Sequence, residues 1–291
     1  MLNLFKISLS VALTFSIYDI CHIKTLGFAM VNITPTHYDC YETKVDPKIA
    51  DEIFNQPFYL FANGGQSYVF KSKDDQYVLK LFKFHHLRIP PWIKYLPLPK
   101  KLEEWKVRKI AYKKGVLDKT FLSYKNAFDF FKKESLLIDI NLSDRKDRYQ
   151  SKIVIHDAQN IPFIVDPNIT PFALQKKVVL FESTIKEKLQ TKDLQFVTQA
   201  VQNCMDLLAN RINQGFIDND CYLHKNIGLV GTEPMLLDIG TLEKVENLGH
   251  QDKVRQIEYV MKPIFEMIEK DPELKDRINE HWEKTKNITL L

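Results

Sequence analysis

The sequence predicts an α+β protein in which short strands come first and amphipathic helices come last. From about residue 50 to residue 183, short apolar runs alternate with polar turns, as in a sheet. From about residue 194 onward, apolar residues recur every three or four positions, as in packed helices. We therefore expect a strand-rich part at 30–183 and a reduced helical part at 184–291. With 291 residues, 45% of them hydrophobic, the chain is long enough to bury a substantial core.

Composition and charge narrow the class of protein. Aromatic residues make up 12% of the chain and only 9 residues are glycine, which excludes a disordered or collagen-like protein. The formal charge is +4, from 41 Lys and Arg against 37 Asp and Glu, so no specific nucleic-acid partner is expected. The four cysteines form no CxxC pair, so neither a zinc site nor a disulfide framework is predicted. Reduced thiols in a cytoplasmic protein are expected.

Residues 1–29 depart from this globular pattern, because one Lys is followed by an apolar run that ends near Asp19. The run is shorter than the roughly 20 residues that span a bilayer. No clean small-residue cleavage site follows it. Three interpretations stay open: a signal peptide, a short membrane tether, or a natural start at Met30. A start at Met30 suits a cytoplasmic protein best, and membrane association through residues 1–29 comes next.

The first predicted hairpins carry a glycine pair and an unusual lysine. The stretch LFANGGQSYVFKSKDDQYVLKLFK is read as strand, turn at Gly64 and Gly65, strand, turn at SKDD, and strand. In the third strand Lys80 points away from Leu79 and Leu81. The solvent face of a half-exposed sheet would explain this lysine. The alternative is phosphate binding, because a glycine turn without side chains can close over phosphates, although Gly-Gly is also an ordinary hairpin turn.

A helix and two more strands follow. The segment TFLSYKNAFDFFKKESLLIDI places Ala127, Phe131, Glu134 and Ile138 at helical spacing on one apolar stripe. A carboxylate on an apolar face needs a cation, and Lys80 is the natural partner; the alternative is a solvated edge shared with the neighbouring lysines. The segments KIVIHDAQNIPFIVD and PFALQKKVVLF are predicted to complete a five-stranded sheet before a hinge at 181–184.

The helical part begins with a long amphipathic helix and a polar hairpin. One face of the helix carries Val197, Val201, Met205, Leu208 and Ile212 and is predicted to be core. The hairpin then begins with Asn226 and ends at Asp238. Two short strands and a GTEP turn would return Asp238 beside Asn226. Their oxygens would chelate one hard cation from two sides; the alternative is ordinary Asx turn chemistry.

In this order the motifs resemble the protein kinase-like superfamily. The segment ANGGQSYV, residues 62–69, is similar to the glycine-rich loop GxGxxGxV, with Ala62 and Ser67 in place of the outer glycines. VLK is similar to the strand that carries the phosphate-binding lysine. NIGLV and MLLDIG are similar to the catalytic-loop Asn and the metal-binding DFG, with Ile239 in place of Phe. The resemblance covers about two-thirds of the chain, roughly residues 58–243, without an APE-like motif.

The resemblance implies a two-lobed protein kinase-like fold with a five-stranded N-lobe sheet and a reduced helical C-lobe. It also implies ATP and Mg²⁺ as cofactors. The site residues that it implies are Gly64, Gly65, Ser67, Val69 and Lys80 on the nucleotide, Glu134 orienting Lys80, and Asn226 and Asp238 on the metal.

The sequence departs from the family at the catalytic base. The family has its catalytic Asp five residues before the Asn, where this chain has Cys221. One extra loop residue would present Asp220 to a substrate hydroxyl instead. Three functions therefore compete: an atypical phosphotransferase on a small-molecule or unknown acceptor, a pseudokinase that keeps nucleotide, and a membrane-surface adaptor with a vestigial site.

The segment 84–115 is an insertion relative to that family. From Lys94 to Lys114 it has eight basic and two acidic residues, interleaved with Trp, Tyr and Leu. Its prolines exclude one regular helix until about Leu102. A solvated helix is one interpretation. The other is docking of residues 94–114 on an anionic membrane surface or an acidic protein partner.

Overall fold

The computed structural model describes residues 16, 23–35, 41–43, 46–85, 99–143, 147–218, 220–269 and 271–289. By the clustering of its contacts, the chain forms two compact units. The first comprises Met1–Asp118 and Ile138–Lys177, and the second comprises Lys119–Leu137 and Val178–Leu291. One unit is built around a sheet and the other around helices, which confirms the predicted α+β class.

The first unit is built on a seven-stranded sheet. The strands are β1 (Phe58–Asn63), β2 (Ser67–Ser72), β3 (Tyr77–Phe82), β4 (Leu137–Asn141), β5 (Ile153–His156), β6 (Pro162–Val165) and β7 (Phe172–Lys176). They lie in the order β4-β7-β3-β2-β1-β5-β6, with β1, β2, β3 and β7 antiparallel and β1 parallel to β5. The helices α1 (Met30–Ile33) and α2 (Pro47–Phe54) precede the sheet in the chain.

The sequence predicted five strands for this sheet, and the structure has seven. The segment predicted as one strand at 152–166 is the hairpin β5–β6, because Asp157 accepts hydrogen bonds from the backbone amides of Gln159 and Ile161, both 2.9 Å long, and turns the chain. The other additional strand is β4, which was predicted as the end of a helix. Leu136 has a left-handed φ of 55°, which ends the helical conformation just before β4.

The helix before β4 is longer at its start and shorter at its end than predicted. It is one helix of 31 residues, α3 (Lys100–Phe130), followed by the single turn α4 (Lys132–Ser135). Its start lies close to the predicted Leu102, and residues 86–98 of the basic insertion lie outside the described residues. Ile138 belongs to a strand, so the predicted helical stripe from Ala127 through Glu134 to Ile138 does not exist.

Most of residues 1–29 lie outside the described residues, and so do the interpretations that rest on them. The described end of this segment packs into the first unit. The ring of Phe28 is 5.2 Å from that of Tyr68 and 5.4 Å from that of Phe70, centroid to centroid. A chain that started at Met30 would lack this core side chain. Within the described ranges, the helices are too short or too polar to cross a bilayer.

The second unit is mainly helical. In chain order the elements are β8 (Val179–Leu180), α5 (Phe181–Gln190), α6 (Leu194–Asn213), β9 (Phe216–Asp218), α7 (Leu223–Asn226), β10 (Ile227–Val230), β11 (Glu233–Leu236), β12 (Leu242–Lys244), α8 (His250–Ile268), α9 (Pro272–Lys284) and a π-helix (Thr285–Thr289). The helices α6, α8 and α9 pack around an apolar core, which includes the whole predicted stripe from Val197 to Ile212. Small strands flank them: β8 pairs with the hairpin β10–β11, and β9 pairs with β12.

Candidate functional site

The glycine pair lies in the β1–β2 turn, as the sequence predicts. The amide of Gly64 donates to the carbonyl of Ser67 at 3.0 Å and closes the turn. A Cβ at Gly64 would lie 3.3 Å from that carbonyl oxygen, a tight contact. A Cβ at Gly65 would have no heavy atom within 4 Å. Packing therefore does not require glycine at residue 65, and the tip of the turn is open on that side.

Lys80 lies in the centre of the sheet of the first unit. It pairs with Val69 on β2 and with Ala173 on β7, so these three side chains project from the same face. Only 8% of Lys80 is exposed, which excludes the alternative of a lysine on the solvent face. The predicted nucleotide-binding residues Ser67 and Val69 are on the neighbouring strand β2. A buried ammonium needs an anionic or polar partner.

Lys83 supports the glycine turn, and the sequence analysis missed it. Its ammonium donates hydrogen bonds to the Asn63 side-chain oxygen and to the Gly64 carbonyl. It also lies 4.5 Å from the centre of the Tyr68 ring. Burial lowers the pKa of Lys83. The only signal in the sequence was a second lysine three residues after Lys80, at the point where the strand ends.

The hairpin of the second unit forms as predicted. Ile227 pairs with Leu236, and the amide of Leu237 donates to the carbonyl of Asn226 at 2.8 Å. This bond brings the residue before Asp238 against Asn226, so both predicted metal ligands leave the same end of the hairpin.

Asn226 is buried, with 3% of its surface exposed. Its side-chain amide nitrogen donates to the carbonyl of Asp220, which sets the orientation of the side chain. Its side-chain oxygen is buried and has no hydrogen-bond partner among the described residues. A buried oxygen of this kind costs about 1–3 kcal/mol when it has no partner. It is therefore an oxygen atom available to a cation.

Asp238, the second predicted metal ligand, is exposed. Hydrogen bonds fix the residues that follow it. Its carboxylate accepts from the amide of Gly240 at 3.3 Å, whereas Ile239 is buried. The hydroxyl of Ser123 on α3 donates to the carbonyl of Ile239 and accepts from the amide of Leu242 at 2.6 Å. Sequence reasoning missed Ser123. A serine on the apolar face of a helix was the signal that could have identified it.

A buried charge pair lies behind the loop that precedes Asn226. Nη1 of Arg211 is 3.9 Å from Oδ2 of Asp218, and both side chains are almost fully buried. The other oxygen of Asp218 accepts from the Thr241 hydroxyl and from the amide of Asp220. Burial raises the pKa of Asp218. The positive charge of Arg211 and the hydrogen bonds to the carboxylate oppose this rise, and the negative charge of Asp238 adds to it. Neither Nε nor Nη2 of Arg211 has a hydrogen-bond partner in the described part of the chain.

The residue at which the sequence resemblance would place a catalytic base, Cys221, is a buried thiol. Only 1% of Cys221 is exposed, and Nη1 of Arg211 lies 3.8 Å from its sulfur. Burial raises the pKa of Cys221, so the thiol stays protonated and faces the core. Asp220 is exposed instead. Its backbone is fixed on both sides, by Asp218 at the amide and by Asn226 at the carbonyl.

The remaining predicted site residue, Glu134, lies in the single turn α4 and is half-buried. The helical stripe on which it was predicted does not reach Ile138, because the helix ends at residue 135 and the next residues form a strand. Its pairing with Lys80 stays a prediction.

A metal ion bound by Asn226 and Asp238 would need further ligands besides these two side chains. Among the residues that the structure describes, no three His, Cys, Asp or Glu side chains converge as a metal site. Asn226 and Asp238 offer two oxygens. This suits Mg²⁺, which is usually held by one or two carboxylates together with substrate phosphates and water.

No protein-family model and no curated protein matches the chain. Solved structures that it resembles include the ROP18 kinase domain in complex with AMP-PNP and sucrose, 12% identical over 78% of this chain and 72% of that chain, with a TM-score of 0.41. The bifunctional kinase-methyltransferase WbdD is 12% identical over 75% of this chain and 42% of that chain, with a TM-score of 0.33.

A third structure is ROP2 from Toxoplasma gondii, described as a virulence factor with a protein-kinase fold and no enzymatic activity. It is 9% identical over 79% of this chain and 81% of that chain, with a TM-score of 0.35. All three are kinases or kinase-fold proteins. At these identities and TM-scores the likeness carries no argument about activity, which depends on the residues of this chain.

Proposed function

We propose that this protein is an atypical kinase-like protein that binds ATP together with Mg²⁺. The observation that carries the proposal is the buried side-chain oxygen of Asn226, which has no hydrogen-bond partner among the described residues. It lies at the end of the hairpin from which Asp238 also leaves. An amide oxygen and a carboxylate at one place are ligands that Mg²⁺ accepts.

The hydrogen bonds of the second unit support this role. Asn226 is oriented by the bond from its amide nitrogen to Asp220, which leaves its oxygen as the ligand. Asp238 precedes a segment anchored by Ser123, so the carboxylate extends from a fixed backbone. When bound, Mg²⁺ would neutralise phosphate charge and join the nucleotide to these two residues.

In the first unit, the proposed phosphate contacts are Lys80 and the turn at Gly64 and Gly65, with Ser67 and Val69 on the adjacent strand. The support for them is the buried position of Lys80 and the open tip of the turn. Lys83 restricts the turn by binding the carbonyl of Gly64. Glu134 is proposed to orient Lys80.

The loop before Asn226 favours a protein that binds the nucleotide without transferring phosphate. The family's base position is a buried Cys221 thiol with a raised pKa, which cannot accept a proton from a substrate hydroxyl. Phosphate transfer to a small molecule is the second candidate, and the exposed Asp220 on its fixed backbone is the observation in its favour.

The test is a thermal-shift titration of the full chain with ATP, with and without Mg²⁺. At about one hundred times the dissociation constant, binding stabilises the protein by about 2.7 kcal/mol. Asp238→Asn should weaken the Mg²⁺-dependent binding about tenfold or more. The matched control is Asp276→Asn, which changes an exposed carboxylate on α9. A wild-type protein that shows no shift with ATP and Mg²⁺ would contradict the proposal.

Transfer is then measured with ATP labelled at the γ-phosphate. Asp220→Asn should leave the thermal shift intact, because a general base acts on the acceptor and not on the nucleotide. Label transferred by the wild type and lost in Asp220→Asn would establish the phosphotransferase. A nucleotide-dependent shift without any transfer by the wild type would favour the pseudokinase.

A further inference from the structure

The N-terminal part of α3, residues 100–113, is a basic helix with no core of its own. It carries six Lys and Arg against two Glu. Each of its residues is exposed or half-buried. A partner surface would therefore supply the packing that this part of the chain lacks.

An apolar stripe runs along this basic helix. Leu102, Trp105 and Tyr112 are three and seven residues apart, which places them on one face at helical periodicity. They are 49%, 54% and 70% exposed. Lys109 lies between them along the stripe, with its ammonium 5.9 Å from the centre of the Trp105 ring.

Basic residues border this stripe on both sides. Lys101 and Arg108, seven residues apart, lie on one side, and Lys106 and Lys113, also seven apart, lie on the other. The Lys106 side chain is 11% exposed and pairs with Glu103 at 2.9 Å, so Lys113 is the flanking cation that remains on that side.

We propose that the basic helix docks on an anionic lipid bilayer, lying in the plane of the membrane surface. Trp and Tyr rings prefer the boundary between headgroups and acyl chains. Lysines on both flanks extend their ammonium groups to lipid phosphates while their stems stay near the apolar boundary. A flat, uniformly anionic surface suits cations on both sides of one apolar stripe.

The helix is a site separate from Asn226 and Asp238, and the inference does not depend on nucleotide binding. It also differs from attachment through the apolar residues 1–29. Apolar attachment would occur on neutral and anionic vesicles alike, whereas the basic helix requires negative headgroups.

The test is flotation of the full chain with vesicles of phosphatidylcholine alone and of equal parts phosphatidylcholine and phosphatidylserine. We expect binding to the anionic vesicles only, weakened by salt because screening acts over about 8–10 Å near physiological ionic strength. The triple variant Lys101→Gln, Arg108→Gln, Lys113→Gln should bind about fivefold more weakly for each charge removed, on the order of a hundredfold in total.

The matched control removes three basic residues from the second unit: Arg255→Gln, Lys262→Gln and Lys275→Gln. All three are partly or largely exposed, and the net charge changes equally. The control should bind as the wild type does. An equal loss in both variants would show that net charge, not the helix, is responsible, and would overturn the proposal.

Tryptophan fluorescence gives a second measurement. Trp105 is 54% exposed, so its emission should shift to the blue on anionic vesicles, and Trp105→Phe should remove most of that shift. Equal binding to both vesicle types, or binding to neither, would overturn the proposal. Absence of vesicle binding would direct attention to an acidic protein partner.

Discussion

Two stretches of the chain are rich in polar and charged residues: residues 211–240, which end with the hairpin of the second unit, and the basic helix. They differ in how far these residues are buried. Arg211, Asp218 and Asn226 are almost fully buried. Lys101, Arg108 and Lys109 of the basic helix are exposed to water. A charge in a low-dielectric interior must be paired, whereas a solvated charge is stable but contributes little to folding. We therefore expect substitutions to affect stability in the first region and binding in the second.

Gly228 in the hairpin and Gly115, which follows the basic helix on α3, show the same contrast. A Cβ at Gly228 in β10 would lie 2.5 Å from a methyl of Val178 and 2.8 Å from the carbonyl oxygen of Val179. A Cβ at Gly115 in α3 would have no heavy atom within 4 Å. Glycine is required by close packing in the hairpin and is not required by packing in the helix.

The largest expected effect comes from making the same substitution in both regions. Arg211→Met should lower the free energy of unfolding by about 3–5 kcal/mol, because Asp218 would keep a buried charge without its cation. Arg108→Met on the exposed basic helix should change it by less than about 0.5 kcal/mol. Urea unfolding of both variants at neutral pH measures the difference. Equal effects would remove the contrast between the regions.

The loss of stability in Arg211→Met should depend on pH. The folded-state pKa of Asp218 is raised, mainly by burial, so the folded state binds more protons than the unfolded state between the two pKa values. The penalty of an ionised Asp218 is therefore complete above the folded pKa and disappears as pH falls below the unfolded value. The loss in Arg211→Met should shrink in acid, and adding Asp218→Asn should recover part of it at neutral pH. A loss independent of pH, unrelieved by Asp218→Asn, would point to packing alone.

The second prediction concerns Gly228. Gly228→Ala should lower the free energy of unfolding by about 1–3 kcal/mol, because the new methyl meets backbone as well as side-chain atoms and cannot be relieved by one rotamer change. Urea denaturation followed by circular dichroism measures the loss. Gly231→Ala is not a suitable control, because Gly231 has a φ of +60°. Gly115→Ala is the appropriate comparison, and a Gly228→Ala variant as stable as wild type would contradict the packing argument.

The smallest expected effect is that of Gly115→Ala, and its sign is opposite. Alanine is a better helix former, and its methyl meets nothing, so stability should rise by about 0.5–1 kcal/mol. Helical circular dichroism and the unfolding midpoint should both increase slightly. A destabilised variant would show that the helix needs glycine for a reason other than space.

Several parts of the fold were predictable because local pattern was sufficient. The strands around Gly64 and Lys80 alternate and end at turns, and turn chemistry determines where they pair. The stripe of α6 repeats at helical spacing and is buried as predicted. The hairpin after Asn226 also follows from a short glycine-containing turn between apolar runs.

The end of α3 was predicted wrongly because short apolar runs do not distinguish a helix from a strand. In LLIDIN, the polar residues Asp139 and Asn141 are buried in β4, where Asp139 accepts a hydrogen bond from the Tyr149 hydroxyl at 2.9 Å and Asn141 donates to the carbonyl of Pro167 at 2.6 Å. Those partners are ten or more residues away, so the periodicity of the segment contains no information about them. For this reason the helical stripe that was predicted to run from Ala127 through Glu134 to Ile138 was wrong at its end.

The sequence by itself determined the order of the motifs, the glycine turn, the central Lys80 and the hairpin that joins Asn226 to Asp238. Only the tertiary structure decided which polar residues of the loop are buried. Asp218 and Cys221 face the core beside Arg211, while Asp220 between them faces water. Neighbouring residues in an irregular loop follow no fixed period. Their burial depends on contacts from distant elements, such as Arg211 on α6 and Thr241 before β12.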